Sequence, residues 1–127
     1  MEMRKIEYAA LNDRQKENYN CQKCAAILAG YGFNCIRLSD DYKGADFIAL
    51  HIEGTTELRV QLKGRLNLED KYAGKNLYIA FPDNGRWFLV PHDEARDYFA
   101  AQGLLTSFSR GHIPAKHSAF FERFAIG

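Results

Sequence analysis

The chain has 127 residues, 46% of them apolar, and a formal net charge of +1, the size and balance of one globular domain with its own hydrophobic core. No apolar run approaches the roughly 18 residues of a membrane span, and the charged stretch from Met1 to Tyr8 lacks the apolar region of a secretory signal. A charge so near zero neither demands nor excludes a polyanionic partner, so local clustering has to decide that question. Cys21, Cys24 and Cys35 form an odd set, and without a secretory signal they are expected to be reduced thiols in a cytoplasmic protein.

The first strong pattern is helical, over residues 12–32. Asn12 is the expected N-cap, with Gln15 as its capping-box partner three residues on. Cys21, Cys24, Leu28 and Tyr31 recur at helical spacing with Ile27 beside them. Glu17 stands one turn before Cys21, and Gly32 suits the left-handed position past the end. Cys21 and Cys24 therefore read as core thiols, since no second Cys or His pair follows at zinc-finger spacing.

The period then changes. Residues 33–38 read as a short strand and 39–44 as a polar turn. Residues 46–52 alternate, with Asp46, Ile48, Leu50 and Ile52 on one face and Phe47, Ala49 and His51 on the other. Glu53-Gly54-Thr55-Thr56 is a hairpin connection. Residues 57–63 alternate again: Leu58, Val60 and Leu62 look like core, while Glu57, Arg59, Gln61 and Lys63 face the other way.

A polar link over 66–75 leads to a nearly continuous apolar run at 76–81, as expected of a strand buried on both faces. Pro82-Asp83-Asn84-Gly85 is a turn, 86–90 a further strand with Trp87 in the core, and Pro91 opens a second helix that Gly103 ends. Asp93 and Glu94 suit that helix's first turn, and His51 and His92 read as ordinary strand and helix-start residues. A last short helix is expected over 115–124. The order implies a single domain over 1–127, with a core at about 12–102 and a tail at 104–127. Its class is α/β (α+β), a mixed β-sheet flanked by helices.

The chemistry concentrates at Asp46, Gln61 and Lys63. Gln61 and Lys63 are two apart on a strand and project from one face. Asp46 opens the preceding strand, and antiparallel neighbours lie about 4.8 Å apart, so the three side chains can converge. Mg²⁺ takes oxygen ligands and needs only one or two protein carboxylates beside waters and substrate phosphate. Asp46 offers an anionic oxygen; the Gln61 amide or the Leu62 carbonyl offers a neutral one. Lys63 is placed to orient or deprotonate a water and to offset charge building on a phosphate. Glu17 is either a direct or water-mediated ligand reaching in from the helix, or a solvated helix-start residue. Glu57 and Arg59, on the face of Gln61, read as a solvated pair, with Glu57 a fallback ligand.

Glu17 in the first helix, Gly44-Ala45-Asp46 opening a strand and Gln61-Leu62-Lys63 on the next together resemble the PD-(D/E)XK nuclease superfamily. The pattern is closest to Holliday-junction resolvases and a cyanobacterial group I intron homing endonuclease. The resemblance spans about residues 12–102 in layout and four residues in chemistry. It implies a restriction-endonuclease-like fold and a divalent-metal-dependent DNA endonuclease that hydrolyses phosphodiester bonds with Mg²⁺ or Mn²⁺. Asp46 would be the metal aspartate, Lys63 the catalytic lysine and Glu17 the helix glutamate of the resolvase branch. Gln61 stands where an acid is usual, which removes one negative charge, and Ala45 stands where the proline would be.

Lys43, Arg65, Lys71 and Lys75 flank the site in sequence and are candidate contacts to the DNA backbone, as are Arg110 and Lys116 in the tail. A small domain covers little duplex, so a homodimer or higher homo-oligomer is expected. The rival expectation is a catalytically inactive nuclease-fold module that binds nucleic acid or a protein partner, and the Gln61 departure favours it.

Overall fold

The computed structural model describes residues 1–104, 108–109 and 112–127. Helix α1 (Asp13–Gly30) begins on a complete capping box. The Asn12 side chain accepts from the Gln15 amide and Gln15 accepts from the Asn12 amide, each at 2.9 Å. Gly32, at φ 91°, takes the left-handed turn out of the helix.

Strands β1 (Phe33–Tyr42), β2 (Ala45–His51) and β3 (Glu57–Leu62) form an antiparallel meander. After a two-residue β4 (Asn67–Leu68) and a 3-10 turn at Asp70–Tyr72 come β5 (Leu77–Asp83), β6 (Arg86–Pro91) and helix α2 (His92–Ala101). The chain closes with β7 (Phe108–Ser109), a 3-10 turn at Ala115–His117, α3 (Ser118–Glu122) and β8 (Ala125–Ile126). Six strands make one mixed sheet in the order β1-β2-β3-β5-β6-β8, and β4 and β7 pair separately. Only β3 and β5 run parallel in that sheet, so the link between them must cross over a sheet face. The class is therefore α+β, a mixed sheet with helices packed on it.

Each face has its own core. Cys21, Cys24 and Leu28 of α1 pack on Phe47, Ala49, Val60 and Ala80. On the other face Ala95 and Phe99 of α2 and Phe121 of α3 pack on Ile79, Phe81, Phe88 and Val90. Phe81, Phe88 and Phe121 form an aromatic cluster with centroids 5.5 to 6.5 Å apart. Among the described residues no helix is long and apolar enough to cross a membrane.

Three expectations change. The stretch read as a polar turn at 39–44 is mostly strand: β1 runs on to Tyr42, and its register against β2 shifts between Arg37 and Tyr42. The polar link contributes to the core, because Leu66 and Leu68 are buried against the α2 face. Pro82 and Asp83 belong to β5, and the turn is the two-residue Asn84-Gly85 loop, with φ 50° and 78°. Positive φ at both positions is the type I′ geometry that matches strand twist.

Candidate active site

The β2–β3 register pairs Phe47 with Val60. One further step along an antiparallel pair sets Asp46 across from Gln61 on the same side of the sheet. The Asp46 carboxylate turns to the end of β3 and accepts the Leu62 amide proton at 2.7 Å. Burial pushes the Asp46 carboxyl above its ordinary range. The Leu62 hydrogen bond opposes this, the Glu17 charge adds to it, and Lys63 and Arg37 pull it back.

Gln61 is not the solvent-face residue its alternation suggests. It is only 5% exposed, because β3 lies inside the sheet beside Ile79 of β5. Its Oε1 has no hydrogen-bond partner among the described residues. An orphaned buried oxygen costs about 1–3 kcal/mol, so this oxygen is free to accept from a bound group.

Lys63 follows β3 and keeps its main chain tied to Ala80 at 2.9 Å. Its Nζ lies 3.2 Å from Glu69 Oε2 and 5.9 Å from the centre of the Tyr72 ring. Glu17 reaches across from α1, where its carboxylate is held 2.8 Å from Arg37 of β1, and Arg37 also donates to Asn18 at 2.6 Å.

Glu17, Asp46, Gln61, Leu62 and Lys63 all line one cleft of about 430 Å³, which Tyr72 and Gly44 help to wall. A neighbouring cleft of about 450 Å³ shares Glu17 and Asp46 and adds Arg14, Arg37 and Ser39. Gly44 is required at its position: at φ 89°, a Cβ there would come within 2.8 Å of the Tyr72 ring.

Among the described residues no three His, Cys, Asp or Glu side chains gather as a metal cage. The donor set is instead the half-buried Asp46 carboxylate and one unpartnered amide oxygen, with Glu17 on the rim. That suits a hard cation that keeps most of its waters.

The expected DNA contacts scatter. Lys43 sits exposed in the β1–β2 turn, Arg65 directly after the cleft residue Gly64, Lys71 on the 3-10 turn beside Tyr72, and Lys75 just before β5. These four flank the cleft in sequence. Lys116 does not line it: its 3-10 turn is anchored on α2, where His117 Nδ1 meets the Tyr98 hydroxyl at 2.9 Å. Arg110 lies outside the described residues. Glu57 is excluded as a ligand, because it starts β3 opposite Leu50, four residues back from Gln61.

His51 Nε2 meets the Tyr31 carbonyl at 3.1 Å, the contact of an ordinary strand histidine. Sequence reasoning missed Arg37, Glu69 and Tyr72. Arg37 sits in a strand read as ending one residue later, and the link holding Glu69 and Tyr72 has no period to read. No protein-family model, curated protein or solved structure matches this chain.

Proposed function

We propose that the chain is a divalent-metal-dependent DNA endonuclease with a restriction-endonuclease-like fold. One observation carries the reading. The buried Gln61 amide oxygen has no partner among the described residues, and Gln61 lines the same cleft as Asp46 and Lys63.

Asp46 and Gln61 would hold Mg²⁺ or Mn²⁺, with the Leu62 carbonyl and a water-mediated contact from Glu17 completing the protein's share. Such an ion supplies Lewis-acid polarisation of the phosphate and a more acidic attacking water. The chain's own residues do the rest. The Leu62 amide fixes the Asp46 carboxylate through its 2.7 Å hydrogen bond. Lys63 sets a positive charge where negative charge grows on the phosphate. Lys43, Arg65, Lys71 and Lys75 hold the flanking backbone. Two copies of the chain would address the two strands of a duplex.

The test is incubation of the purified protein with supercoiled and branched DNA in Mg²⁺, Mn²⁺ or chelator. We expect metal-dependent nicking that falls at least about 100-fold in Asp46→Ala and Lys63→Ala. Intact DNA with every metal would refute the endonuclease.

A second reading, an inactive module that binds nucleic acid or protein, rests on the charge pairing. Lys63 is already neutralised by Glu69, and Glu17 by Arg37. It predicts DNA binding that survives Asp46→Ala, without cleavage.

A further inference from the structure

Lys63 has a partner that the proposed reaction does not use. Glu69 Oε2 lies 3.2 Å from its Nζ, and both side chains are partly shielded from solvent. Glu69 comes from a short loop that reaches the cleft from the other face of the sheet, and that loop is fastened at several points. Leu68, just before it, is buried in the core. The Glu69 carbonyl accepts from Nε2 of His92 at 2.9 Å and from the Tyr72 amide at 3.1 Å. Asp70 accepts from Arg96 at 3.0 Å, and the Gly74 amide donates to Asp93 at 3.0 Å. The Tyr72 ring closes the loop against Gly44, two residues from Asp46.

His92 is the centre of this clamp. Only 1% of it is exposed, at the first position of α2. Its Nδ1 faces the Asp93 carboxylate at 2.9 Å while Nε2 donates to the Glu69 carbonyl. A buried histidine with both nitrogens engaged is a rigid strut, so the main chain at Glu69 has a fixed position relative to α2. A flexible lysine gains most from such a neighbour, because its ammonium otherwise samples many rotamers.

We propose that Glu69 is a positioning residue: its carboxylate sets where the Lys63 ammonium stands in the cleft, and buried His92 sets where Glu69 stands. The inference rests on the reading of the cleft as a phosphodiester-cleaving site. Glu69 is not among the residues that line the cleft, so its action is on Lys63 rather than on metal or phosphate. The pair is only partly shielded, and ion pairs open to solvent add little to stability.

The test uses Glu69→Gln, which keeps the shape and removes the charge, alone and combined with Lys63→Ala. Nicking rates are read with Mn²⁺ affinity by calorimetry and thermal melting. We expect kcat to fall about 10- to 100-fold while KM for DNA and Mn²⁺ affinity stay within about twofold. In the Lys63→Ala background Glu69→Gln should cost nothing further, as befits a residue that acts through that lysine.

An unchanged kcat, or an equal loss without Lys63, overturns the proposal. Weakened Mn²⁺ binding overturns it too, since Glu69 would then be a ligand. A readout independent of cleavage separates this from failure of the nuclease reading. The ¹³C signal of reductively methylated Lys63, identified by its loss in Lys63→Arg, should move in Glu69→Gln and in His92→Gln even if the protein cuts nothing. A signal that stays in place in both variants contradicts the positioning role.

Discussion

Asp46 is held between opposing influences, and burial wins: its carboxyl is raised above the ordinary range. A raised folded value means the carboxyl favours the native state most at pH below its unfolded value. That contribution is lost as pH rises through the folded value. The ionised form of Asp46 is therefore the one the metal-free fold disfavours. Asp46→Asn removes the charge and keeps an oxygen to accept the Leu62 amide. We expect it to stabilise the metal-free protein at pH 7 by about 1 kcal/mol, the scale of ordinary stabilising substitutions, while abolishing any metal response in melting experiments. Asp93 is the opposite case. Its carboxyl is held below the usual range chiefly by the hydrogen bond to His92, so its contribution is present above the unfolded value and is lost in acid as pH falls through the folded one. Burial pushes the Cys24 thiol up to about 12, with the neighbouring Cys35 and Cys21 adding to it. Ellman's reagent should therefore modify Cys24 only after denaturation.

At the level of elements, helix α1 and the β2–β3 hairpin were legible because their signals are local. A capping box and a helical stripe need only neighbouring residues, and both appear as read except that Tyr31, at the C-cap, is exposed rather than part of the stripe. Asn12→Ala should cost about 0.5–2 kcal/mol by leaving the Gln15 amide without its cap, measurable by urea unfolding. The period of two on β3, with Asp46 near the start of its antiparallel partner β2, is also why Asp46, Gln61 and Lys63 line one cleft. The link between β3 and β5 was illegible for the converse reason. Its only regular elements are a two-residue strand and one 3-10 turn, held by His92, Arg96 and Asp93 of a distant helix. Glu69 and Tyr72 could not be read from their neighbours. Gly44 joins the two kinds of region. Gly44→Ala forces a left-handed alanine against Tyr72, and we expect a loss of about 1–3 kcal/mol together with a displaced cleft wall, seen as changed Tyr72 and Lys63 resonances.

For the whole molecule, the two faces of the sheet divide the labour. The α1 face carries Glu17 on the helix that covers it, and the α2 face supplies the strut that ends at Lys63. The cleft lies where both reach the sheet. The chain's last segment is part of this arrangement: Phe121 is fully buried in the α2-side core, and β8 extends the sheet beside β6. Phe121→Ala should cost about 3–5 kcal/mol, a large share of the roughly 5–15 kcal/mol that holds a domain together. The central claim is that Asp46 and Gln61 share one divalent ion. Titration of ¹⁵N-labelled protein with Mn²⁺ tests it most directly, through paramagnetic broadening of amide signals. We expect the Asp46, Gln61, Leu62 and Lys63 amides and the Gln61 side-chain amide to vanish first, and Asp46→Ala to abolish the effect. Broadening centred instead on carboxylates outside the cleft, such as Glu57 or Asp97, with the Gln61 signals intact, would contradict it.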